Sequence, residues 1–424
     1  DAYGRSLTLT YDGAGKLDKV TDPASGRFLD FTVVNGKATS VSTNSVTGPN
    51  YSGPLTWNYA YSGDSLTKAC DARDNNLTTG KCITYTYTTN RLTKVTRPKG
   101  NDEVRLSYNA SGKVDWAENG VADRVTFAYG SGISQVTDAR GFATTYFFDP
   151  LFRTTRVAQA DGTRTRYTYD ANGFRNLVED AKGNRTTMAY DPRGNLLSRT
   201  NGEGETTWFE YAGDNAIAVR DGRSSSATDN TYRKSFTYNA AGEVLTETGP
   251  PTPEYAAGIT ETTTYTTGTE NFGWGTVPSG LVRTESPGKG TTSFEYDAAG
   301  NLRRRIDPSG LVTDFTYDEL GRELTARTIW ESGEATVTST YDQLGNLLTE
   351  TAPAVTNTVV TPNATNRRKT TNVYDANANL NTTTVSDIGG SATPTPSRLT
   401  TFDFDDADRP FRITDPEGGV TSRT

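Results

Sequence analysis

Along most of the chain, short runs in which apolar and polar residues alternate are broken by clusters of Asp, Asn, Pro and Gly, and then the alternation resumes. The stretch YDAAGNLRRRIDPSGLVTDFTYDELGRE, residues 296–323, shows the unit. Asp297 can bond its side chain to the backbone two residues on and start a turn, and Gly300 supplies the positive φ that closes it. Residues 301–306 then read as extended. Asp307-Pro308-Ser309-Gly310 predicts a second turn, with Pro where φ near −65° is wanted. Residues 311–317 return, with Phe315 and Tyr317 two apart and so on one face. Two strands of about six residues and two turns of about four give a unit of about 20.

That unit recurs through the whole chain. Its closing aromatic appears at Tyr87, Tyr108, Tyr129, Phe148, Tyr169, Tyr190 and Tyr211, in steps of 21, 21, 19, 21, 21 and 21. Tyr11, Phe31 and Tyr61 precede this run, and Tyr238, Tyr265, Tyr296, Tyr317, Tyr341, Tyr374 and Phe404 follow it. Looser, insert-bearing units are expected over about 211–295 and 341–404, where GPPTPEYAAG, TAPAVTNTVVTPN and GGSATPTPS interrupt the spacing. A fixed period of this length signals a repeat architecture whose units cannot bury their faces alone. The best-formed copies are Tyr169-Asp170 with Gly173, Tyr190-Asp191 with Gly194, Tyr296-Asp297 with Gly300, Tyr317-Asp318 with Gly321, and Tyr341-Asp342 with Gly345. The position four after the aromatic should favour residues that tolerate the left-handed region. Asn215 and Asp408 fit that rule, whereas Phe152 and Ala378 do not and predict a different turn at those two places.

The predicted fold is therefore all-β: tandem hairpins side by side in one long sheet. A twisted ribbon of this many strands has to coil, so a strongly curved sheet with a concave face is expected. At 424 residues, a hydrophobic fraction of 33% and a mean hydropathy of −0.65 would raise disorder, but 22 Tyr, 16 Phe and 5 Trp suit a pleated surface. Net charge is −8 with 43 basic and 51 acidic residues interspersed, which leaves no basic stripe for nucleic acid. No apolar run approaches the roughly 20 residues that span a bilayer.

Candidate chemistry is sparse. The chain has no His, which excludes Ser-His-Asp and Cys-His catalysis and His-containing metal sites. Cys70 and Cys82 are too few for a zinc site of the usual kind. A disulfide between them across the end of one hairpin is the better reading, with two free thiols as the alternative, and it would indicate an oxidising, extracellular setting. Asp403, Asp405, Asp406 and Asp408 suggest a calcium loop, but Ala407 and Asp408 stand where an EF-hand needs an oxygen ligand and Gly. A degenerate repeat explains that cluster better. The Tyr array could serve as a sugar platform, yet its spacing follows the repeat and favours packing of each ring on the next. No metal, cofactor or catalytic residue is expected.

The copies YDPRGNLL (190–197), YDAAGNLR (296–303), YDELGREL (317–324) and YDQLGNLL (341–348), with intervening DPSG and DPEG turns, resemble the YD-repeat or Rhs family. Many copies in register make the resemblance specific, and it covers essentially the whole chain. It implies a sheet spiralling around a hollow interior, as in Rhs toxin shells, Tc toxin cocoon components and teneurins. The hollow shell comes from the resemblance; periodicity alone shows hairpins. The family's self-cleaving aspartyl segment is not found, since DPSGLV at 307–312 sits in ordinary repeat register. DAYGRSLTLTYD at 1–12 aligns with 307–318, and the tail from Asp415 stops before the next expected Tyr, so the chain is expected to be one array, 1–424, cut within a repeat at both ends. The resemblance implies a non-enzymatic wall enclosing a C-terminal toxin, with the remaining repeats and that cargo as partners, in a secreted or cell-surface bacterial setting. The rival reading is a surface adhesin or fibre that binds a glycan or protein on neighbouring cells.

Overall fold

The computed structural model describes residues 5–357, 364–388 and 397–422. Asp1 and Gly4 of the amino-terminal alignment, and the cores of the inserts at 358–363 and 389–396, lie outside the described residues. The described chain is strands and turns, assembled into one 36-stranded antiparallel sheet. Each strand pairs with the one that follows it in sequence, as Thr292–Tyr296 with Leu302–Ile306 and the latter with Val312–Tyr317. The single departure among them is Leu347–Thr351, which skips Val355–Asn357 to pair with Ala364–Tyr374.

Both turns of the unit have the same construction. Asp297 Oδ1 accepts the N–H of Ala299 (3.0 Å) and of Asn301 (2.9 Å), and Gly300 closes the loop at φ 80°. Asp307 does the same for Ser309 and Leu311, each at 2.9 Å, with Gly310 at φ 87°. One carboxylate thus satisfies two backbone donors that the turn would otherwise leave unpaired. Phe152 and Ala378 take this same turn, with φ of 60° and 68°, against the expectation of a different one. The reason is visible at Ala378: Asp375 Oδ1 still holds the N–H of Asn377 and Asn379, each at 2.9 Å, and fixes the loop despite the side chain. Asn215 departs the other way. Ala212 pairs with Asn215, Gly213 takes the positive φ of 65°, and Asn215 opens the next strand.

A feature absent from the sequence reading recurs at the closing aromatic. The register shifts between Glu295 and Tyr296 and between Thr316 and Tyr317, because Arg303 and Leu324 are extra residues on the opposing strand. These β-bulges recur at Tyr169, Tyr190, Tyr238 and Tyr341. A bulge adds local twist, so one per unit bends the ribbon steadily.

The bending brings the ribbon back on itself. Arg27 Nη2 donates to Asn301 Oδ1 (3.0 Å), Arg73 Nη2 to the Ala376 carbonyl (2.8 Å), Asn101 Nδ2 to the Asp406 carbonyl (2.9 Å), and Arg409 Nη1 to Asp123 Oδ2 (2.9 Å). These partners are separated by 274, 303, 305 and 286 residues respectively. A near-constant separation means one coil stacked on the next. About 24 strands fill the interval, and at the roughly 4.8 Å spacing of paired strands they make a circumference of about 115 Å and a backbone-to-backbone diameter of about 35 Å. No strand pairing closes the sheet among the described residues, so the coils form an open spiral.

Burial agrees with a single layer. The accessible surface is 24447 Å², about half as much again as the roughly 16,000 Å² expected of a compact monomer of this mass. The buried apolar side chains are few among the described residues: Val46, Leu55, Cys70, Val95, Ala218 and Val277. Two sheets packed face to face would bury far more.

Candidate functional site: the repeated turn and the seam between coils

Many closing tyrosines do something other than stack on the next ring. Their hydroxyls donate to a backbone carbonyl at the start of an earlier strand: Tyr169 to Thr154 (2.7 Å), Tyr190 to Arg175 (3.1 Å), Tyr238 to Ala216 (2.6 Å) and Tyr296 to Val282 (2.7 Å). The expected ring-on-ring ladder is corrected accordingly; among the described residues only Phe174 and Tyr190 make such a contact, at 5.3 Å. Cations cover the rings instead. Lys113 lies 4.8 Å from the Tyr129 ring, Arg153 4.6 Å from Tyr169 and Arg322 5.3 Å from Tyr341. Each follows the turn residue of one unit and covers the tyrosine of the next. That contact links successive units. Burial pushes the hydroxyls of Tyr296 and Tyr317 up to about 12.

The same position also holds its own turn. Arg322 Nε reaches Asp318 Oδ2 at 2.6 Å, and Asn195, Asn301 and Asn346 reach the second carboxylate oxygens of Asp191, Asp297 and Asp342 at 2.9, 2.9 and 3.0 Å. Asp170 bonds the backbone of Asn172 and Phe174. Gly173, Gly194, Gly321 and Gly345 all take positive φ, as Gly300 does.

Arg322 also joins the coils. Its Nη1 donates to the Asp342 carbonyl (2.7 Å) and its Nη2 to the Tyr51 hydroxyl (2.7 Å), which donates onward to the Tyr341 carbonyl (3.3 Å). The seam joins the turns at 22–27, 49–51, 71–81 and 97–101 to Asp-led turns at 297–301, 318–322, 342–346, 375–379 and 405–409, with side chains contributed from both sides. Asp408 accepts from Asn377 (3.0 Å) and Asn379 (2.7 Å) and lies 3.3 Å from Arg97.

The remaining acidic cluster has separate partners. Asp403 pairs with Arg412 at 2.6 Å and Asp405 with Arg409 at 2.9 Å. Among the described residues no group of three or more His, Cys, Asp or Glu is placed to hold a metal ion. Cys70 and Cys82 face each other across paired strands and are joined as a disulfide.

These features define a class: an open, single-layer array of Asp-turned antiparallel hairpins. The RHS Repeat family model matches residues 176–206 and 296–333, two stretches of this array. Among solved structures it is similar to TcdB2-TccC3-TEV, at 12% identity and a TM-score of 0.33, covering 92% of this chain and 28% of that one. It is similar to the Tc holotoxin pore of Photorhabdus luminescens at 13% identity and a TM-score of 0.28, covering 98% and 26%. A porin-like protein from Bacteroides uniformis follows at 10% identity and a TM-score of 0.16, covering 65% and 93%. The chain thus spans less than a third of the Tc structures it matches. No curated protein sequence matches it.

Proposed function

We propose that this chain is a length of wall in a hollow shell that encloses a polypeptide cargo, with further repeats of the same kind and a secreted bacterial toxin as its partners. The observation that carries the reading is the return of the ribbon on itself after 271 to 307 residues, a coil about 35 Å across, wider than side chains projecting from its wall would fill. The absence of His and the use of the Asp side chains as turn locks support a structural role without catalysis. The similarity to Tc holotoxin components, which cover far more chain than this, is consistent with the cargo being a toxin.

Coiling can be measured directly. Lys182 and Ser332 lie in exposed turns about 12 strands apart, half a coil. Spin labels on Lys182→Cys and Ser332→Cys should sit about 35 Å apart across the lumen, whereas a straight ribbon would hold them about 58 Å apart. A distance distribution centred on the longer value would replace the shell with a fibre.

A further inference from the structure

Most turns on one edge of the ribbon are five residues long, but that at 221–232 is a long insert folded over the sheet. A comparable insert, 71–81, fills its own underside: Asn75 Nδ2 donates to the Thr56 carbonyl (3.1 Å), and Asn58 Nδ2 to the Asn75 carbonyl (2.9 Å). The insert at 221–232 instead leaves a cavity of about 560 Å³. Its loop is held by Asp229, whose carboxylate accepts the N–H of Ser225 (2.8 Å) and of Thr231 (3.0 Å).

The floor of this cavity is set by register. Ser198, Trp208 and Arg220 are directly paired on three adjacent strands, and Glu210 lies two residues from Trp208 on the same face. Arg220 is buried, 7% exposed, beneath the loop. Its Nη2 bonds Glu210 Oε2 (3.1 Å) and Asn230 Oδ1 (3.0 Å), and its Nε reaches Asn230 Oδ1 (3.2 Å). Nη1 makes no hydrogen bond among the described residues. Glu210 Oε1 likewise accepts none, and that side chain is 47% exposed. The pocket therefore offers one charged donor and one charged acceptor beside an indole. A carboxylate ligand would meet Glu210 as a like charge. A neutral group that both accepts and donates matches the pair, and the indole favours an apolar neighbour to that group.

We propose that this pocket binds one residue of an extended polypeptide, whose N–H and C=O point to the same side: the carbonyl accepts from Arg220 Nη1, the N–H donates to Glu210 Oε1, and an apolar side chain lies on Trp208. The site stands on this geometry alone and does not depend on the shell reading. The probe is N-acetyl-L-leucine methylamide, titrated into the intact chain while tryptophan fluorescence is followed, with Trp208→Phe identifying the responding indole. Saturable binding in the millimolar range is expected for one such group. 4-Methylpentanoate, methyl glucoside and N-acetylglucosamine should bind at least about tenfold more weakly, as should the amide to Arg220→Met or Glu210→Ala, since each loses a charge-assisted bond. Glu210 is half-exposed, so its variant keeps the comparison valid if Arg220→Met fails to fold. No saturable response to the amide, an unaltered Kd in Glu210→Ala, or tighter binding of the carboxylate or either sugar would overturn the assignment.

Discussion

Phe152→Gly should stabilise the protein, although it removes an aromatic side chain. Phe152 sits at φ 60°, in the position that Gly occupies in most other units, and its side chain is 84% exposed. Little buried surface is lost. Holding a non-Gly residue in the left-handed region costs about 1–2 kcal/mol, and the extra freedom of Gly in the unfolded chain returns about 0.4–1 kcal/mol of that. The net gain is about 0.5–1 kcal/mol. Gly310→Ala is the mirror test, because a Cβ there at φ 87° meets nothing within 4 Å and any penalty is conformational. It should lose about the same amount. Repeat arrays open locally, so the measurement is native-state hydrogen exchange at the amides that close each loop. Those are residues 149 and 152 in one variant, 307 and 310 in the other. Exchange should slow about two- to fivefold in Phe152→Gly and quicken by a similar factor in Gly310→Ala. Faster exchange in the first, or no change in the second, would show that the left-handed residue is not what limits the turn.

Cys70→Ser with Cys82→Ser should lower stability by about 3 kcal/mol around the 71–81 loop, the chain-entropy value for a loop of this length, read by thermal unfolding against the oxidised parent. Arg322→Ala strips the ion pair from Asp318, whose side chain is 2% exposed, and should cost about 3 kcal/mol, with loss of protection at Tyr51 as well as locally; protection unchanged at Tyr51 would mean that the coils do not share this contact. The folded hydroxyls of Tyr296 and Tyr317 titrate above their usual value, so their contribution is complete below about pH 10 and is lost as pH rises toward about 12, which alkaline unfolding followed by circular dichroism will read. Asp307 and Asp180 are shifted down, Asp307 first by the Ser309 hydroxyl and Asp180 first by the Asn184 amide. Their contribution is present above the ordinary carboxylate pKa and falls as pH drops through the lower folded values, so acid unfolding should begin only below about pH 4.

The hairpin period and its Asp–Gly turns were legible because their causes are local. A carboxylate at Asp297 reaches donors two and four residues on, and Gly300 is read from its own conformational freedom. Phe152 and Ala378 were misread by weighing the fourth position alone, when the Asp at the first position also holds the loop. The hydroxyl bonds of Tyr169, Tyr190 and Tyr296 left only an indirect trace. Their acceptors are backbone carbonyls, which carry no residue signature, but the preference for Tyr over Phe at the closing position was the available sign, since a phenyl ring packs as well and cannot donate. Arg322 and Tyr51 were beyond reach. Their encounter depends on the accumulated bend of about 24 strands, and no spacing in the sequence encodes that sum directly.

How a sheet with so few fully buried residues stays folded follows from where its bonds lie. Within a coil nearly every strand has two partners, most turns are closed by an Asp or Asn side chain, and many units are tied to their neighbours by a tyrosine hydroxyl or by a cation over its ring. These contacts need only neighbours, so coil length can grow without enlarging a core. Between coils many bonds run from side chains such as Arg27, Arg73 and Asn101 to turn carbonyls that the Asp-led loops leave pointing outward. Almost none of this uses the middle of either sheet face. Cross-strand pairs there, such as Thr316 with Thr325 or Arg304 with Asp314, add stability within a face but do not demand a second layer. Both faces are thereby released from packing duty. A wall built in this way can vary the chemistry its faces present, as at Trp208 and Arg220, while its edges keep the constant chemistry that sets the curvature.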